Sequence, residues 1–115
     1  MERIQRILRN TEFESSTFKT QQFNDFAKTF KRELNKELKT IGVTKVKYNI
    51  GHFYISGFFE KDNQIYYFSL SDVRGMHLLK DVSLLYRTAE SYKDYKGGSN
   101  QYVTIEYQMA KNMNI

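Results

Sequence analysis

Cysteine and proline are absent from this sequence, and histidine occurs only twice. Without cysteine there is no disulfide, no thiolate metal site and no cysteine nucleophile. Such a chain suits a reducing compartment, and we expect a cytoplasmic protein. Without proline, turns must be made by Gly, Asn, Asp and Ser. His52 and His77 stand far apart in the chain and make a poor metal site, so we expect no metal and no cofactor. Asp72 and Asp81 flank His77, but a nucleophile, a base and an orienting group need more than nearness in sequence. The carboxylates show no distinctive acid–base spacing. These gaps lead us to expect no enzymatic activity. Apolar runs are short as well. None approaches the roughly 20 residues of a membrane span, and residues 1–6 lack the apolar stretch of a signal peptide.

What is present is a strong aromatic content. Nine Phe and nine Tyr occur in 115 residues, and 40% of the chain is apolar. Each buried ring removes a large area from water, so such a chain can build a core without metal or disulfide. The length fits a single domain over residues 1–115. The charge is unevenly placed. Residues 1–47 hold eleven Lys or Arg and six Asp or Glu, whereas residues 48–115 hold seven of each. The whole excess of +5 therefore lies in the first part of the chain. This asymmetry suits an anionic partner; it equally suits a solvated helix that keeps the protein soluble.

Residues 1–9 read as a short helix with Met1, Ile4, Ile7 and Leu8 on one face. A polar loop over 10–19 follows. Phe23, Phe26, Ala27, Phe30, Leu34, Leu38 and Ile41 then recur at helical spacing. Thr20 suits the N-cap and Gly42 the C-terminal stop. After Gly42 the period becomes two. Strands are expected over 43–50, 52–59, 64–70, 82–88 and 102–108, with polar turns or loops at 61–63 and 92–100. Residues 77–80 are ambiguous, and 111–115 are expected to fray. The expected fold is α+β: two N-terminal helices, one short and one long, packed on a four- to five-stranded, mostly antiparallel sheet.

Three constellations stand out. On the long helix, Lys28, Arg32, Lys36 and Lys39 lie opposite the Phe stripe. A row of cations on a rigid element can contact successive phosphates, making these the nucleic-acid-binding candidates. Arg3 and Arg6 extend the row if the first helix packs alongside. The alternative is a plain solvent face. On the strands, Tyr48, Tyr54, Tyr66 and Tyr67 accompany Lys45 and Lys47. These rings suit base stacking or cross-strand packing. The third is the loop from Tyr92 to Asn100. Its Gly97-Gly98 pair lets backbone amides turn outward, but the spacing of a phosphate-binding P-loop is missing. An exposed Tyr among cations also suits a protein partner.

The runs GHFYISGFFE (51–60), YYFSLSDVRG (66–75) and LLYRTAESYKDYKGGSNQYVTIE (84–106) resemble small accessory proteins of phages and mobile elements from Gram-positive bacteria. Among these, the resemblance is to anti-CRISPR inhibitors. It implies a non-enzymatic protein of the bacterial host cytoplasm that binds a CRISPR effector, Cas9 or a Cas9–guide RNA complex. Its contacts would fall on Arg74, Arg87, Lys93, Tyr95, Lys96 and Asn100. Many inhibitors of that kind look like acidic DNA mimics. This chain departs from that pattern by being basic, which favours RNA, an acidic protein surface or an allosteric site.

Overall fold

The protein is described by a computed structural model covering residues 20–51, 54–70, 83–94, 98–105 and 108–115. Helix α1 spans Thr20–Lys39. Phe23, Phe26, Ala27, Phe30, Leu34 and Leu38 are all buried, as their spacing predicts. The helix closes on Gly42, whose φ of 93° is cheap only without a Cβ. The Gly42 N–H donates to the Lys39 carbonyl at 3.1 Å and the Val43 N–H to the Leu38 carbonyl at 3.0 Å. This is a Schellman closure, and buried Val43 and Leu38 supply its apolar contact.

The sheet contains β1 Val46–Ile50, β2 Ile55–Lys61, β3 Gln64–Leu70, β4 Ser83–Ala89 and β5 Gln101–Thr104. The strands lie in the order β1-β2-β3-β4-β5, with every neighbouring pair antiparallel. Asp62 and Asn63 join β2 to β3 with φ of 52° and 66°. Two adjacent positive φ values mark a primed turn, whose twist matches that of the flanking strands. A short helix, α2, follows over Met109–Asn112.

The register fixes what each face carries. Val46, Phe59 and Tyr66 share one cross-strand row beneath α1; Tyr48, Phe68 and Tyr86 share the next. Tyr66 stacks on Phe59 at 5.3 Å, and Tyr48 meets Phe68 edge-on at 5.7 Å. The Tyr48 hydroxyl donates to Asn35 Oδ1 at 2.7 Å and also lies 3.2 Å from the Lys31 carbonyl. It thereby pins the flank of α1 to β1. Burial holds this phenol well above its ordinary value of 10.0.

Two expectations need correction. The last strand ends at Thr104, not 108, and residues 111–115 do not fray. Met109, Ala110 and Met113 are buried, and the Asn114 N–H donates to the Tyr86 hydroxyl at 2.7 Å. Glu37 of α1 receives the N–H groups of Gln108 and Ala110, so the tail is fastened by a residue distant in sequence. The short helix expected over 1–9 lies outside the described residues. Among the described residues no helix is long and apolar enough to cross a membrane.

Candidate interaction surfaces

The face of the sheet turned away from α1 carries a row of four register partners: Lys47, Phe58, Tyr67 and Arg87, on β1 to β4. Strict alternation along β2 puts Phe59 under the helix and leaves Phe58 on the far side. Yet Phe58 is only 4% exposed. Its cover comes from its neighbour Tyr67 and from the β4–β5 loop, which folds back over the sheet. The Tyr92 ring meets Phe58 edge-on at 5.9 Å, and Tyr67 lies 5.3 Å from Phe58 on β3. Lys47 Nζ sits 4.4 Å from the Tyr92 ring centre, and the Arg87 guanidinium sits 4.5 Å from that of Tyr67. Cations bracket the aromatic group from both ends, an attraction strengthened by exclusion of water. Desolvation first, and then a hydrogen bond to Glu60, raise the Tyr92 phenol above its ordinary value.

Arg87 is itself buried, with 4% exposure. Its Nη2 donates to the Asp94 carbonyl at 2.9 Å and its Nη1 to the Thr88 carbonyl at 3.2 Å. The Asp94 carboxylate then accepts the Glu90 N–H at 3.0 Å. At the far end of the loop, Gly98 has φ 76°, and a Cβ there would stand 2.5 Å from the Thr88 carbonyl oxygen. Residues 90–94 are thus held to β4 by hydrogen bonds, and Gly98 packs closely against Thr88. The sequence marked Arg87 as a contact residue; the structure places it under the loop, holding it in shape. Lys93 and Asn100 are exposed. Tyr102, on the same face of β5, is 64% exposed, and neither its spacing nor its type singled it out. Arg74, Tyr95 and Lys96 lie outside the described residues.

The second surface is the outer side of α1. Lys28, Arg32, Lys36 and Lys39 are all exposed. Arg32 has Glu33 at 3.8 Å; among the described residues the other three have no ion-pair partner. Lys31 lies lower on the same flank, 5.1 Å from the Tyr48 ring centre. Arg3 and Arg6 lie outside the described residues. Of the strand tyrosines considered for base stacking, Tyr48, Tyr66 and Tyr67 are engaged with neighbouring rings, and Tyr54 is exposed.

His52, His77, Asp72 and Asp81 lie outside the described residues. Among the described residues no group of three or more His, Asp or Glu converges as a metal site would require. A recess of about 250 Å³ beside the loop is walled by Tyr66, Tyr86, Arg87, Thr88, Ser99, Gln101, Asn114 and Ile115, and the Arg87 guanidinium in it is already bonded to the Asp94 and Thr88 carbonyls. Hydroxyls and amides of this kind offer hydrogen bonds but no acid–base pair.

Comparison with protein-family models, curated proteins and solved structures finds no match. The fold places the chain in the α+β class: a long N-terminal helix and a short C-terminal helix on a five-stranded antiparallel meander.

Proposed function

We propose that this chain is a non-catalytic binding protein, and that the loop-bearing outer face of the sheet is its contact surface. One observation carries the reading: Arg87 and the Phe58–Tyr92 contact fix residues 90–94, the first part of the β4–β5 loop, in the free protein. A loop ordered beforehand loses little conformational freedom on binding, so its exposed side chains can act at full strength. Lys93 and Asn100 are those side chains, with exposed Tyr102 beside them on β5, and Arg74, Tyr95 and Lys96 belong to the same proposal through the resemblance. That resemblance names the target: a CRISPR effector, Cas9 or a Cas9–guide RNA complex, inhibited by direct binding. Affinity capture with Cas9 and guide RNA, paired with a DNA-cleavage assay, tests it. The expected result is a complex and inhibition, both lost in the Lys93→Glu, Tyr102→Ala double variant. Absence of a complex, with unimpaired cleavage at micromolar protein, overturns the target.

A second reading rests on the exposed row Lys28, Arg32, Lys36 and Lys39, three of which have no acidic partner among the described residues. This row would bind DNA or RNA through phosphates. Four duplex contacts give a log–log salt slope of about −3.6. A flat salt dependence removes the reading, as does unchanged binding after all four are reversed to Glu.

A further inference from the structure

We propose that the outer edge of β1, with the groove between it and the end of α1, is a docking slot for an extended acidic segment of a partner protein, which adds to the sheet as a sixth strand. This rests on the reading of the chain as a binding protein, but uses a surface distinct from the loop face.

The edge is open. Among the described residues β1 pairs with β2 alone. The Gly51 N–H donates to the Tyr54 carbonyl at 3.1 Å, which marks that pair as hydrogen-bonded. Bonded and non-bonded pairs alternate along an antiparallel ladder, so Asn49 and Lys47 turn their backbone groups toward β2. Val46, Tyr48 and Ile50 turn theirs outward. Edges are commonly guarded by proline, a bulge or a projecting lysine. Here there is no proline, and the single lysine, Lys47, is drawn over Tyr92 on the outer face.

Beside this edge lies a groove of about 300 Å³ lined by Asn35, Lys39, Val43, Thr44 and Val46. Two valines give it an apolar floor; an amide, a hydroxyl and an ammonium form its rim. The charge around it is of one sign. Lys31 and Lys39 lie on this flank of α1, and Lys45 immediately precedes β1. Of the acids of the helix, Asp25 lies about three turns before Asn35 and about four before Lys39, and Glu33 and Glu37 lie on the opposite flank, where Glu37 is bonded to the C-terminal segment. Glu60, across from the start of β1, is bonded to Tyr92. An acidic strand satisfies all three features: outward amides, apolar floor and cationic rim. A nucleic acid meets only the last. Strand addition of this kind draws affinity from the backbone and specificity from alternate side chains.

The test uses isotope-labelled protein and an eight-residue peptide of alternating Glu and Val. Slowed amide exchange at Val46, Tyr48 and Ile50 is expected on adding peptide. Binding should vanish when alternate peptide nitrogens are methylated, and when Lys replaces Glu in the peptide. Lys39→Glu with Lys45→Glu should weaken it about tenfold. Three results overturn the proposal: equal binding of the methylated peptide, protection of those amides in the protein alone, or their protection by oligouridylate but not by peptide. The second would mean that another copy or another part of the chain already fills the edge. A failed Cas9 experiment alters none of these outcomes.

Discussion

Glu37 Oε1 accepts a hydrogen bond from the Ala110 N–H at 3.0 Å, across 73 residues of sequence. Its other oxygen accepts the Gln108 N–H at 3.2 Å. One carboxylate on α1 therefore satisfies two amides at the start of α2, whose own Gln108 contributes no side-chain cap. Hydrogen bonds to a charged acceptor are worth about 1.5–3 kcal/mol each. Glu37→Ala is expected to destabilise the protein by about 2–3 kcal/mol, read as a lower denaturant midpoint, and to speed amide exchange from 108 to 114. Glu37→Gln, which keeps one acceptor, should fall between. Exchange unchanged in the alanine variant would show that the tail is held by its buried methionines instead.

Tyr48 makes stability fall at alkaline pH. Its phenol titrates above its ordinary value when folded, because burial disfavours the phenolate. The unfolded chain releases this proton near pH 10 while the native state keeps it. Stability from this group is thus complete below about pH 10 and is lost as pH rises toward the folded value, by at most about 1.4 kcal/mol per pH unit. Tyr48→Phe should be less stable near neutrality, having lost the bond to Asn35, yet decline less steeply above pH 10. Parallel wild-type and variant curves of thermal midpoint against pH would assign the alkaline loss to other tyrosines.

Arg87 holds residues 90–94 to β4, and Gly98 packs closely against Thr88. Arg87→Ala leaves the Asp94 carbonyl without its donor and uncovers Tyr67, at an expected cost of about 2 kcal/mol. Arg87→Lys should restore little, since an ammonium lacks the planar fork that serves two carbonyls over a ring. Gly98→Ala should free the far end, because its Cβ would press on Thr88. Faster amide exchange over 90–94 in all three variants, with exchange in β2 and β3 unchanged, is the predicted signature.

Much of the scaffold was legible in residue spacing. The Phe stripe of α1, its stop at Gly42 and the limits of β3 follow from periodicity and turn chemistry, which act locally. The polar stretch at 61–63 narrows to the two-residue Asp62-Asn63 turn for the same reason. What the spacing hid depends on distant partners. The α2 helix has four residues, too few for a period, and is fixed by Glu37. The second aromatic cluster was hidden because alternation along one strand does not show what covers its second face. The adjacent pair Phe58 and Phe59 was the available signal: two large rings in succession require cover on both faces. Arg87 is among the expected partner contacts, and arginine is seldom buried; only the position of the Asp94 carbonyl shows how its charge is accommodated beneath the loop. Of the surfaces themselves, the helix cations were visible at once, whereas the β1 edge and its groove exist only through strand order.

That strand order also governs how the chain can assemble. Each described strand from β2 onward neighbours the one synthesised before it, so none of these waits for a remote mate, and the absence of proline removes prolyl isomerisation as a slow phase. The sheet can grow one hairpin at a time, outward in both directions from the two-residue turn at Asp62-Asn63. Amide protection during refolding should therefore appear first in β2 and β3. The Glu37 latch, which needs the amides of Gln108 and Ala110, should close after β2 and β3 have paired.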